Sequence, residues 1–418
     1  MKNRVISLLR KSEKITKTDM VYLVGQSGWL IFGQSIALIS SLGLAWVFAN
    51  YVEPSDYGIY RYVLTVATIA SITTLTGFGI AVARAISQGH QVDLKKILRI
   101  KIKFGLIGTI GVLGVACYYL WLDNILLATL FAITAIWIPF FDSLSDYQFV
   151  LQGKKHFKLQ TVIKIIQRTV ITLMVIAAVL LTKNIITITF VYFLATTLSH
   201  YLAYRYTQKK YFKDNDERTP YQTIITYAKQ VSIQNIFFIG SAQLDKILLF
   251  KLLGPAQLAV YLFAVAIPNE IQGVLGNINS VAFPKLVDRD SRDFKMALLK
   301  KISLFTLILF IPVVLYWLAA PYIFKILFPV YMDSIFISQL FVGTILFIPA
   351  SLIWHYFYAT EHKTALWYGT ILGPSTLISG ILIFVPLYGL IGAVIAVYAR
   401  AIIDLTSGLY FFLRENRK

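Results

Sequence analysis

Residues 302–324 read ISLFTLILFIPVVLYWLAAPYIF, without one Asp, Glu, Lys or Arg. At about 1.5 Å of rise per residue, a helix of this length reaches across the ~30 Å hydrocarbon core of a bilayer. Equally uncharged runs cover 28–49, 62–83, 104–122, 184–204 and 334–360. The chain of 418 residues is 57% apolar and only 14% charged, too little polar surface to coat a soluble fold. The expected class is therefore an all-α polytopic membrane protein. About twelve spans are expected, at 27–50, 57–82, 103–122, 124–150, 157–182, 184–206, 227–253, 256–283, 299–324, 334–360, 364–385 and 388–412.

The formal net charge of +19 raises the question of nucleic acid, and its distribution answers it. Basic residues gather in alternate gaps between spans, as the positive-inside rule requires and as a single nucleic-acid footprint would not. Six precede the first span, namely Lys2, Arg4, Arg10, Lys11, Lys14 and Lys17. Six more, Arg84, Lys95, Lys96, Arg99, Lys101 and Lys103, fall between the second and third. Later clusters lie at 154–158, 205–229, 285–301 and the C-terminal tail, and the gaps between them carry little. This alternation places both termini in the cytoplasm. The basic start runs straight into a full-length span, so no signal peptide is expected. The one cysteine, Cys117, sits in an apolar run, so neither an internal disulfide framework nor a Cys-based metal site is expected. The five histidines lack metal-ligand spacing, and no phosphate-cradling glycine loop appears. No metal, cofactor or direct use of ATP is expected.

The most hydrophilic stretch lies mid-chain. It divides the chain into an N-terminal six-helix lobe at 1–206, a cytoplasmic linker at 207–226 and a C-terminal six-helix lobe at 227–418. The lobes read as repeats around a central cavity. Glu53-Pro54-Ser55-Asp56-Tyr57-Gly58-Ile59-Tyr60 aligns with Gly254-Pro255-Ala256-Gln257-Leu258-Ala259-Val260-Tyr261 at an offset of 201. Proline suits the first turn of a helix, where its missing N–H costs nothing. Six spans separate the copies, which gives them the same membrane direction, as in parallel transporter repeats.

The segment 52–60, followed by a span and then Thr76-Gly77-Phe78-Gly79-Ile80, resembles the polysaccharide-exporting flippases of the MATE-like superfamily, the O-antigen branch most of all. Gln243-Leu244-Asp245-Lys246-Ile247-Leu248-Leu249, with Gly254, Pro255 and Tyr261, resembles that family's seventh-to-eighth span junction. The resemblance covers the whole chain, but its motifs are structural punctuation. It implies a non-enzymatic transporter in the bacterial cytoplasmic membrane. Its substrate would be an undecaprenyl-pyrophosphate-linked oligosaccharide, such as an O-antigen or lipopolysaccharide repeat unit, moved across the bilayer by alternating access. An ion gradient, of protons or sodium as in an antiporter, or the membrane potential would drive it, with membrane lipids and other polysaccharide-assembly membrane proteins as partners. The related lipid II flippases carry cavity arginines on their first, second and eighth spans. Here only Arg61 matches, while the first span offers Gln34 and the eighth Glu270.

Charged residues inside spans are expensive, so each needs a partner or a wet cavity. Folding the fourth and fifth spans antiparallel puts Asp142 level with Arg168 and Asp146 level with Lys164. That arrangement reads either as a structural ion-pair ladder or as a site in which Arg168 contacts pyrophosphate and Asp142 titrates. Arg400 and Asp404 share one face of the twelfth span. Glu270 has no close partner in sequence, which makes it the first candidate for proton coupling. Asp245 and Lys246 adjoin one another in the seventh span. The candidates for the pyrophosphate or sugar are Arg61, Arg168, Arg400 and Lys246. Those for ion coupling are Glu270, Asp142, Asp245 and Asp404. Arg84, Lys103 and Lys285 read as topology anchors. Gly105, Gly108, Gly111 and Gly114 read as a close-packing face on the third span.

Two rival functions share part of this pattern. A cation-coupled multidrug exporter of the same superfamily would share the fold, but its cationic cargo favours an acidic cavity. A membrane-embedded polysaccharide polymerase or ligase would need a sizeable extracytoplasmic loop, and the expected outer loops are too short for one.

Overall fold

The computed structural model describes residues 20–212, 221–282, 292–360 and 362–414. Lys285 and part of the expected linker lie outside them. Among the described residues every regular element is a helix, with α1 at Met20–Tyr51, α2 at Pro54–Ala70 and α3 at Phe78–Ser87. There follow α4 at Leu94–Trp121, α5 at Ile125–Phe141, α6 at Tyr147–Gly153, α7 at Phe157–Thr182 and α8 at Ile185–Tyr211. The second half holds α9 at Tyr221–Leu253, α10 at Pro255–Ala282, α11 at Arg292–Leu327, α12 at Ser334–Val342, α13 at Ser351–Ala359 and α14 at Lys363–Arg414.

Among the described residues, eight helices are long and apolar enough to cross a membrane, or nine when the bent pair 54–74 and 78–87 counts as one span. Part of the difference from twelve is a matter of joining. The two expected spans at 364–385 and 388–412 form the single long α14, broken at Gly389, whose φ of 58° and ψ of −135° are not helical. Helices α9 and α10 are not among the eight. They carry the polar residues Lys229, Asp245, Lys246, Glu270 and Gln272, which lower their hydropathy.

Helix starts follow the local chemistry. Asp93, Asn124 and Asn184 each turn a side-chain oxygen onto an orphan N–H of the first turn, at Lys96, Leu127 and Ile186. Pro54 opens α2 and Pro255 opens α10, as the repeated motif predicts. Gly254, with φ of +87°, supplies the reversal before Pro255.

The chain forms two compact units. One comprises 1–45 and 70–236, the other 46–69 and 237–418. Their boundary does not follow the mid-chain hydrophilic stretch, because residues 46–69 pack with the second half of the sequence. In the first unit, the buried face of α4 is Leu94, Ile97, Lys101, Gly105, Gly108, Val112, Ala116 and Tyr119. A Cβ on Gly105 would lie 2.8 Å from the Pro139 Cα, and one on Gly108 would lie 2.6 Å from the Ala70 oxygen. Gly111 and Gly114 face open space. A spacing of three residues slips about 60° per step around a helix, so the four glycines cannot share one face.

In the second unit the two copies of the motif touch. Gly58 brings the backbone of α2 onto the Pro255 carbonyl, where any side chain would collide. Aromatic rings fill in around this contact. Tyr62 stacks on Phe250 at 3.8 Å between centroids, Phe48 on Tyr60 at 5.1 Å, and Phe263 lies 4.0 Å from Tyr331.

Three of the expected spans are not continuous α-helices. The second unwinds into a 3-10 turn at Ser71–Thr74, reaches a left-handed Leu75, and bends by 51° before α3. The fourth unwinds at Ser143–Asp146 and the tenth at Gly343–Ala350. The offset that relates Pro54 to Pro255 carries Ser143 to Thr344, inside the third of these stretches.

Candidate functional site

The break in the fourth span carries the most deeply buried charges described. Helix α5 ends at Phe141, two residues after its internal Pro139 removes a backbone donor. The 3-10 turn that follows tightens the chain and brings Asp142 and Asp146 toward α4 rather than α7. Lys101 lies between them, with Nζ donating to Asp146 Oδ1 at 2.8 Å and to Asp142 Oδ2 at 3.1 Å. The side chains of Lys101 and Asp146 are 1% and 4% exposed, and that of Asp142 is 30% exposed. Thr74, from the unwound end of the second span, donates to Asp142 Oδ2 at 3.2 Å, and Ser145 donates to Oδ1 at 3.3 Å.

This geometry corrects the expected ladder. Asp142 does not pair with Arg168, nor Asp146 with Lys164. Both cations lie on exposed positions of α7. A straight fourth helix would have faced the fifth with both carboxylates, but the 3-10 turn re-aims them. Lys101, counted in sequence with the basic gap before the third span, is instead a core residue. The readable signal was its place in the run 94, 97, 101, 105, 108, 112, 116 and 119, the i, i+3, i+4 rhythm of a buried helical face.

A polar network extends from the break. Tyr147 donates to Gln167 Oε1, and Gln167 Nε2 donates to the Ser199 carbonyl at 2.8 Å. The His200 ring lies edge-on to Tyr147 at 6.2 Å. Gly77, in the Thr76-Gly77-Phe78-Gly79 motif, lets the backbone of α9 approach, and its N–H reaches Ser232 Oγ at 3.0 Å. Arg84 sits 4.7 Å over the Tyr227 ring, and Lys103 is exposed.

The second unit treats its charges differently. Lys246 bonds its neighbour Asp245 at 3.3 Å and the Ala242 carbonyl at 2.9 Å. Tyr261, the second tyrosine of the repeat, reaches the other oxygen of Asp245 at 3.5 Å. Arg400 and Asp404 form the expected pair at 3.5 Å, each about one-third exposed. Gly373 leaves room for the Asp404 carboxylate, where a Cβ would collide. Arg61 is half-buried on α2, with its guanidinium 6.0 Å over the Tyr57 ring. Glu270, half-buried two residues after Pro268, is not the solitary acid that sequence suggested, since it does engage a partner. Gln34 is exposed on α1. At the tenth-span break the contact is neutral, with Gln272 Nε2 donating to Thr344 Oγ1 at 2.8 Å.

Of the eight site candidates, the structure joins Asp245 with Lys246 and Arg400 with Asp404. It gives Asp142 a partner that was not a candidate, and it leaves Arg168 exposed in the other unit from Arg61 and Arg400.

A polytopic helical chain with broken spans and paired intramembrane charges has the build of a membrane transporter. Its fold is shared with a solved structure described as "Lipid II flippase MurJ, inward closed conformation", at a TM-score of 0.67 and 14% identity, over 94% of this chain and 89% of that one. It is shared too with an inward-facing multidrug resistance MATE family transporter of the MOP superfamily, at 0.62 and 15% identity, covering 92% and 96%. A MOP superfamily transporter from Pyrococcus furiosus matches at 0.61 and 14%, covering 94% and 96%. No curated protein sequence matches. The polysaccharide biosynthesis protein family matches residues 23–290, and the chain belongs to that family.

Proposed function

We propose that the protein is a flippase. Its substrate would be an undecaprenyl-pyrophosphate-linked oligosaccharide, the repeat unit of an O-antigen or related surface polysaccharide. It would move this lipid across the bacterial cytoplasmic membrane by alternating access, coupled to a proton or sodium gradient. The observation that carries this reading is the family match over 23–290, on a fold that a lipid II flippase shares across nearly its whole length. The substrate's chemistry adds support. A diphosphate cannot enter hydrocarbon unpaired, and guanidinium groups meet it through paired hydrogen bonds.

Arg168 is the first candidate for the pyrophosphate, because among the described residues it holds no ion pair. Arg61, already over a tyrosine face, is the second. Arg400 and Lys246 would have to leave Asp404 and Asp245 to serve. Glu270, Asp142, Asp245 and Asp404 remain the candidates for ion coupling.

The test is reconstitution. Purified protein in vesicles, supplied with a polyprenyl-pyrophosphate oligosaccharide in the inner leaflet, should render the sugar accessible to an added glycosidase. Arg168→Ala should slow this by an order of magnitude or more while the protein inserts normally. No exposure above that of protein-free vesicles sinks the reading, and export of a cationic dye instead would favour the multidrug exporter.

A further inference from the structure

The fourth-span break holds one more negative charge than positive. With every group ionised, Lys101 offers one positive charge to two carboxylates, and burial leaves little water to absorb the surplus. The carboxylates are not equivalent. Asp142 accepts hydrogen bonds at both oxygens, from Lys101 and Thr74 on one side and Ser145 on the other. Asp146 accepts from Lys101 at Oδ1, while its Oδ2 is buried and has no partner. A carboxylate stripped of donors on one oxygen is the form that burial penalises most, and adding a proton to that oxygen removes the penalty.

We propose that this cluster is a proton-binding site, in which Asp146 holds a proton on Oδ2 and Asp142 stays ionised against Lys101. The ammonium occupies the place between two carboxylates that a monovalent metal ion would otherwise take. The site therefore carries its cation covalently and exchanges a proton. Release breaks only the Asp146 O–H bond. The electron pair stays on the oxygen, and the proton leaves to the aqueous phase past Asp142, the least shielded member.

The titratable groups around Asp146 are Lys101 on α4, Asp142 beside it, Tyr147 on α6, and His200 and Tyr204 on α8. Asp93 and Arg205 also act on Tyr204. His200 Nδ1 and the Tyr204 hydroxyl are buried without partners, so neither donates to Asp146 Oδ2. That the proton couples to transport rests on the flippase reading, whereas its presence on Asp146 does not.

Infrared difference spectroscopy on the full-length protein reads the proton directly. At neutral pH the wild type should show a carboxylic-acid C=O band that Asp146→Asn removes and Glu270→Gln leaves in place. Absence of the band, or its survival in Asp146→Asn, overturns the proposal. Thermal unfolding supplies the second readout. Asp146→Asn, which keeps the shape and neutrality of an acid, should retain the wild-type Tm, and Asp142→Asn should lower it. Equal losses, the reverse order, or a chain that no longer folds after Asp146→Asn contradict the assignment. A wild-type Tm that rises in sodium over potassium would point to a bound metal ion and also overturn it. None of these measurements depends on sugar transport, so the two readings can fail separately.

Discussion

The fourth and tenth spans break at corresponding places, and the two breaks are filled differently. In the fourth, Lys101, Asp142 and Asp146 are buried as a charged cluster beside Thr74. In the tenth, Gln272 and Thr344 meet as neutral partners. An unwound turn frees backbone groups and re-aims side chains, so it can serve as a polar junction of either kind. Breaks at positions 201 residues apart in sequence thus carry different electrostatics. One break holds a buried charged cluster, and the other a neutral hydrogen bond. The second unit's own charges, Asp245 with Lys246 and Arg400 with Asp404, lie outside its break and form pairs, none of them as shielded as Lys101 or Asp146.

Replacing Lys101 with Met should break the comparison most severely. Removing one partner of a buried ion pair costs about 3–5 kcal/mol, and here it also takes a donor from Asp146. The expected outcome is a large loss of folded protein in membranes, read by fluorescence-detected size exclusion; full abundance would return Lys101 to the surface class. In the second unit, Gly58→Val drives a side chain into the Pro255 carbonyl, and overpacking of this kind costs about 1–3 kcal/mol. A lowered Tm in detergent is expected, with an unchanged Tm counting against the backbone contact. Gln272→Leu removes one neutral hydrogen bond and should cost about 1 kcal/mol, well below Lys101→Met. A loss as large as that of Lys101→Met would erase the distinction between the breaks. Arg400→Gln should change stability least, by about 0–1 kcal/mol, because the pair is one-third exposed. If Arg400 also meets the substrate, surface polysaccharide should fall while membrane abundance holds.

Sequence made much of this fold legible, because hydrocarbon permits so few solutions. Uncharged runs located the helices, and Pro54 and Pro255 located two helix starts. Asp142, Asp146, Asp245, Arg400 and Asp404 stood out because charge inside a span needs an explanation. Their partners were legible only where the helix stays regular. Arg400 and Asp404 are four residues apart on one continuous helix, and they pair as that spacing predicts. Asp142 and Asp146 have the same spacing and reach one cation together, but the 3-10 turn at 143–146 aims them at Lys101 rather than at the fifth span. Lys101 was hidden by its neighbours Arg99 and Lys103, whose solvated role it does not share. The division of residues between the compact units was not legible either, because it follows packing rather than chain order.

The most direct test of the flippase account is expression of the chain in a strain that lacks its own O-antigen flippase. Surface polysaccharide should return to the cell exterior at normal membrane levels of the protein. Lipid-linked oligosaccharide that stays on the inner leaflet, with the protein folded and abundant in the membrane, would contradict the account.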